Sequence, residues 1–152
     1  MSDKYSFRSF EEKDIELIVN NLIINTPYYF DENEASSFVN DLISSVDNVY
    51  CIEINNKLCL LAGFKTETKK NKEISYIELL YEFFEYKVLR DCYEVFFIKH
   101  IIKEIKTQRI LTKCTAENYH RFLNNGFKII RYKKNYKWTE SYTADLYLME
   151  FK

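Results

Sequence analysis

Hydrophobic positions along the chain switch repeatedly between a helical and an extended period. Ile15, Ile18, Val19, Leu22 and Ile23 recur at the three-and-four spacing of one helix face. Tyr5–Ser9 ahead of them reads as a short strand. Ser9 and Glu12 stand at capping-box spacing. Thr26-Pro27 closes the helix, because a residue before proline is biased away from the α region. A second helix is predicted from near Asp31 to about Ser45, with Ala35, Phe38, Val39, Leu42 and Ile43 inward.

Extended segments follow. Val49–Ile54 and Lys57–Thr66 are predicted strands joined at Asn55-Asn56, since Asn tolerates the left-handed backbone of a tight hairpin. A two-residue loop would pair Cys51 with Leu60 and Cys59 with Ile52, placing the thiols on opposite faces. Lys69, Lys70 and Lys72 mark another exposed turn. Ile74–Phe84 is the longest strand-like run. A polar elbow, Glu85 to Asp91, precedes a helix that turns Cys92, Val95, Phe96, Ile98, Ile101, Ile102 and Ile105 inward. Arg109–Thr115 is a strand. Glu117–Asn125 is a short helix with Gly126 at the position after its cap. Phe127–Tyr132 and Leu146–Phe151 are the last strands. The order β-α-α-β-β-β-α-β-α-β-β predicts an α/β domain with one parallel crossover inside a mostly antiparallel sheet.

Composition sharpens this. The 152 residues are one ordinary domain's worth, expected to span 1–152. Aromatics make up 17%, with 13 Tyr and 12 Phe, so large rings fill much of the core. Only two Gly and one Pro occur, so Asn and Asp must take the positive-φ positions. There is no run of 18 apolar residues to span a membrane. The polar stretch 1–10 has no apolar signal core. Cys51, Cys59, Cys92 and Cys114 match no zinc spacing and no CxxC, and read as reduced core thiols of a cytoplasmic protein. His100 and His120 sit on separate helices beside no nucleophile motif and so support no triad or metal site, and a structural role is the reading for His100 among its apolar neighbours.

Net charge is −1, but it is unevenly spread. Residues 1–60 hold 4 basic and 11 acidic side chains, and residues 61–152 hold 18 and 12. Such a split suits a cationic partner at one surface and an anionic one at another. Arg131, Tyr132, Lys133, Lys134, Tyr136, Lys137 and Trp138 interleave base and ring. Nucleic-acid grooves use that pattern. The near-zero net charge instead favours a final hairpin with rings inward and lysines outward.

Two stretches resemble the GNAT acyltransferase family. "AENYHRFLNNGFKII", residues 116–130, is similar to the family's fourth helix and the strand after it. "EISYIELLYEFFEYKVLRDCYEVFFIKHII", residues 73–102, stands where the family has its splayed strand, pyrophosphate loop and third helix. The resemblance implies a GNAT-like fold, with a mixed sheet of six or seven strands flanked by about four helices. It implies acetyl-CoA as acyl donor and a small-molecule or peptide amine as acceptor. The family's loop reads Arg or Gln, two residues, Gly, one residue, then Gly or Ala, and its amides hold the pyrophosphate. Here the frame is Lys87, Val88, Leu89, Arg90, Asp91 and Cys92, with both small residues replaced. Arg90 could bind a phosphate or fill its slot.

Phe83 and Phe84 fall where the family's strand offers backbone groups to the pantetheine arm, and the resemblance also implies a cofactor contact for Asn118, near the start of the fourth helix. The family's general-acid Tyr position is Phe122 here; Tyr119, one turn earlier, is either its substitute or a core ring. Glu78, alternating along the long strand with Tyr76, Leu80 and Glu82, is either the base for the incoming amine or a surface charge. In this picture the final hairpin borders the acceptor site or a homodimer contact. The alternative to an N-acetyltransferase is a GNAT-like binding module, a pseudoenzyme that no longer catalyses.

Overall fold

Asn-driven turns and a single parallel ladder organise the sheet. The computed structural model describes residues 5–26, 28–83 and 98–151. Its strands are β1 (Tyr5–Ser9), β2 (Asn48–Ile54), β3 (Lys57–Lys69), β4 (Lys72–Glu82), β5 (Arg109–Cys114), β6 (Phe127–Lys137) and β7 (Thr143–Phe151). Helix α1 is Asp14–Asn25 and α2 is Glu32–Ser44. Residues 98–104 are helical and are called α3 here, and α4 is Tyr119–Leu123. The seven-stranded sheet runs β1-β2-β3-β4-β5-β7-β6. The β4–β5 pair is parallel, from Ile74↔Arg109 to Ile77↔Thr112, while β1–β2, β2–β3, β5–β7 and β6–β7 are antiparallel. The predicted element order and the crossover are both present.

Turn chemistry behaves as the glycine shortage requires. Asn55 and Asn56 have φ of 52° and 67°, and Lys70 and Asn71 have 50° and 64°. Each pair closes a two-residue hairpin whose strands need positive φ at both central positions. The β2–β3 register departs from expectation. Ile52 pairs with Leu60, but Glu53 pairs with Leu58, so a bulge at Cys59 moves Cys51 opposite Leu61.

The α1 cap also differs. The helix begins at Asp14 after Lys13, and no Ser9–Glu12 capping box forms. Asp14 turns inward instead and accepts the Glu11 N–H at 2.9 Å. Asp31 caps α2 as expected, accepting the Glu34 N–H at 2.8 Å. Ala35 and Val39 are buried on that helix, but Phe38 is 39% exposed.

The chain divides into two compact units. In the first, Ile18, Val19 and Leu22 of α1, Ala35 and Val39 of α2, and Leu61 of β3 share one apolar cluster with Phe83. In the second, Ile98 and Ile101 of α3 are buried, as are Phe122 and Phe127, whose rings meet edge to face at 5.1 Å. Rings of that size dominate such interiors.

Cys51, Cys59 and Cys114 are buried. Burial pushes Cys51 and Cys59 up to about 12, with the nearby Asp14 charge adding to the first and the Glu53 charge to the second. Burial pushes Tyr81 up to about 12 as well. A folded pKa above the unfolded one stabilises the fold fully below the unfolded value, and this is lost as pH rises toward the folded value. Stability should therefore decline from the unfolded thiol value near ~8.5 upward. In the native protein at neutral pH, a thiol reagent should leave these three thiols unmodified. Fast reaction of more than one of the four cysteines would contradict that burial.

Candidate functional site

Glu78 follows the fourth rung of the parallel ladder, Ile77↔Thr112, where Thr112 Oγ1 donates to Ile77 O at 3.0 Å. Its side chain is 37% exposed, and Oε1 lies 3.8 Å from Lys65 Nζ. Lys65 also reaches Glu67 at 3.6 Å and stands 6.0 Å over the Tyr76 ring. Lys69 Nζ donates to Tyr76 Oη at 3.2 Å, and that contact, first among the causes, raises the lysine. Glu78 thus sits beside an ammonium on a charged strand face.

Asn118 and Tyr119 open α4. Asn118 Oδ1 accepts from the Nη1 of buried Arg121 at 2.7 Å. The Tyr119 ring stacks on Tyr147 with centroids 4.6 Å apart and planes at 16°. Tyr147 meets Tyr132 at 5.1 Å, and Tyr132 Oη donates to Asp145 Oδ2 at 2.6 Å. That hydrogen bond pushes Tyr132 up to about 12 and lowers Asp145. Phe122 is 2% exposed and buries its ring against Phe127. A ladder of three tyrosines therefore runs from α4 across β7 to β6.

Phe83 lies in the first unit. Its N–H donates to Cys59 O at 3.0 Å, and its ring is buried edge-on to Tyr81 at 5.2 Å. Phe84, Lys87, Val88, Leu89, Arg90, Asp91 and Cys92 lie outside the described residues. The structure places Asn118 and Tyr119 together at the start of α4 and Glu78 in the same unit as both. Sequence reasoning missed Lys65, Arg121 and Tyr147 as their partners. Only Lys65 left a signal, since a hairpin centred on Lys70-Asn71 brings it across from the strand that carries Glu78. Among the described residues no group of three His, Cys, Asp or Glu side chains could hold a metal ion. No helix among them is long and apolar enough to cross a membrane.

Solved structures share this architecture along almost all of the chain. A GNAT-family acetyltransferase from Bacillus anthracis is 21% identical, with a TM-score of 0.64 over 97% of this chain and 93% of that one. A spermidine N-acetyltransferase chimera from Vibrio cholerae and hSSAT is 15% identical, with a TM-score of 0.67 over 97% and 94%. RimL, a ribosomal L7/L12 alpha-N-protein acetyltransferase in complex with coenzyme A, is 15% identical, with a TM-score of 0.68 over 96% and 92%. No family model and no curated protein sequence matches the chain. The fold is the GNAT acyl-CoA N-acyltransferase fold: a seven-stranded mixed sheet with four helices.

Proposed function

We propose that the protein is an acyl-CoA-dependent N-acetyltransferase acting on a primary amine of a small molecule or peptide. The observation that carries this is the parallel β4–β5 ladder set into an otherwise antiparallel GNAT-type sheet, with Glu78 directly after its last rung. A solved protein of the same fold holds coenzyme A. The amine lone pair attacks the thioester carbonyl carbon, and the C–S bond breaks as the tetrahedral intermediate collapses. Glu78 takes the amine proton through water. The leaving thiolate takes a proton from Tyr119 Oη, whose ring is held in place by Tyr147. Lys87, Arg90 and the amides of residues 88–92 bind the pyrophosphate, and Phe83, Phe84 and Asn118 flank the rest of the cofactor. An acidic front half, with 11 acidic and 4 basic side chains in residues 1–60, suits a cationic amine. Buried reduced thiols suit a cytoplasmic protein.

Titration calorimetry with acetyl-CoA tests the reading. Binding is expected, and Arg90→Glu should weaken it by roughly 10-fold or more, the worth of a charged hydrogen bond. In an assay of coenzyme A release over a panel of amines, Glu78→Gln should lower kcat by about 100-fold or more with little change in KM. Tyr119→Phe keeps the stack on Tyr147 and removes only the hydroxyl, so a fall in kcat reads the proton donor. An unchanged kcat would assign Tyr119 to packing.

A binding module of the same fold is the second reading, and one residue identity and two contacts favour it. Phe122 has no proton to give, Asn118 Oδ1 is taken by Arg121, and the Phe83 amide is taken by Cys59 O. Absence of heat at millimolar acetyl-CoA would leave this reading in place of the enzyme.

A further inference from the structure

Two salt bridges define one face of the sheet in the second unit. Arg109 of β5 pairs with Glu150 of β7 at 2.6 Å, so both project from the same side. Lys65 of β3 stands 6.0 Å over the Tyr76 ring and 3.8 Å from Glu78 Oε1. Tyr76 registers with Leu111, which lies between Arg109 and Lys113. Alternate residues of a strand share a side, so Glu78 and Lys113 project from this face as well. Each stands one residue past the rung Ile77↔Thr112. Lys113 then registers with Leu148 of β7, and Leu148 with Arg131 of β6. One row across four strands therefore reads Glu78, Lys113, Leu148, Arg131.

The carboxylates near this row are engaged. Glu78 has Lys65, and Glu150 has Arg109 and faces Lys128 across the β6–β7 pair. Asp145 lies on the opposite face, where it accepts from Tyr132 Oη and the Asn135 N–H and feels the Lys134 charge. Lys113 and Arg131 are both exposed, and among the described residues no ion pair or side-chain hydrogen bond engages either. Half-buried Leu148 forms the floor between them. Neighbouring strands lie about 4.8 Å apart, so the two cations start about 10 Å from each other, a gap that their long stems can close over one anion. The same two spacings separate Glu78 from Leu148.

We propose that Lys113 and Arg131 bind an anionic group of the acceptor, a carboxylate or phosphate, roughly 10 Å from the amine that Glu78 serves. The inference rests on the N-acetyltransferase reading above and narrows its acceptor to an amine that also carries an acid. The lysine supplies a point charge, and the guanidinium a fork that matches two oxygens of the anion. The spacing excludes a free α-amino acid, whose carboxylate lies too close to its nitrogen. It fits about three residues of an extended peptide, or a medium-chain ω-amino acid.

Coenzyme A release with matched acceptors tests this. One pair is short peptide amides with Asp or Asn at the fourth position; the other is a medium-chain ω-amino acid and its amide. The acid of a pair should exceed its amide in kcat/KM by roughly 10-fold or more, through KM. Lys113→Gln with Arg131→Gln should bring that ratio to about one. Lys113→Glu with Arg131→Glu should reverse it, favouring a peptide with Lys at the fourth position. Lys106→Gln, ahead of β5 and away from the row, should keep the parent ratio. Lys113 and Arg131 are exposed, so circular dichroism melts of the double variants should match the parent. Preference within the peptide pair or within the ω-amino acid pair identifies which source the site takes. Equal turnover of acid and amide would overturn the inference and leave the enzyme reading standing, as would a preference that neither double variant changes. No turnover with any acceptor would overturn both.

Discussion

Asp14→Ala should lower the thermal midpoint by roughly 6–20 °C, the equivalent of about 3–5 kcal/mol for a chain of this size. The carboxylate is fully buried, at 0% exposure. Arg8 grips it with both terminal nitrogens at 2.8 Å, the Glu11 N–H adds a third hydrogen bond at 2.9 Å, and Arg8 also pairs with Glu53. Deleting the carboxylate removes the tie between β1 and α1 and leaves the guanidinium half-compensated.

Burial alone would push the Asp14 carboxyl up, but the Arg8 hydrogen bonds and the Glu11 amide outweigh it and hold it below the ordinary value. A depressed folded pKa means the contribution is complete above the unfolded value near ~3.9 and is lost as pH falls through the folded one. Urea titrations should therefore show the gap between parent and variant shrinking at acid pH. A gap that persists unchanged there would show that Asp14 acts by packing alone. Replacing both partners, Arg8→Met with Asp14→Leu, should cost less than Asp14→Ala, since a buried pair is often matched by apolar residues of similar volume.

Gly63→Ala should cost about 3 kcal/mol or more, because the obstacle is backbone. A Cβ built there would stand 2.1 Å from Asn48 O and 3.1 Å from Val46 Cγ2. Val49 pairs with Gly63 and Asn48 with Phe64, while the Asp47 N–H donates to Phe64 O at 3.1 Å, so that segment cannot retreat without giving up sheet hydrogen bonds. The urea midpoint should fall with little change in slope. A midpoint within experimental error of the parent would show that β2 yields more readily than this register allows. In a chain with two glycines, this one is kept by close approach and not by φ.

Much of the architecture was legible because helix and strand periods differ so clearly here. Ile18, Val19 and Leu22 mark α1 by spacing alone, and the Asn55-Asn56 hairpin announces itself by chemistry. The β2–β3 register was not legible past Ile52, since a bulge inserts a residue without any distinctive letter. β6 extends to Lys137 although the sequence predicted its end at Tyr132, because an edge strand wet on both faces shows no alternation. The α1 start was misread because Ser9 and Glu12 stand at capping-box spacing, whereas the helix begins later, at Asp14. The partner of Asp14, Arg8, comes into reach only when β1 is laid against β2. At the candidate site, Glu78 and Tyr119 could be named from a family frame. Their partners Lys65 and Tyr147 depend on tertiary placement, to which a single sequence is silent.

The lone parallel ladder also bears on the order in which the sheet assembles. Hairpins such as β2–β3 close over two residues, a microsecond event. Ile74 and Arg109 come together only after the intervening crossover has been laid down, at a larger loop-closure entropy. Those four rungs are thus the natural late step, and the rate of reaching the native state should be governed by when they zip rather than by how fast any single turn forms.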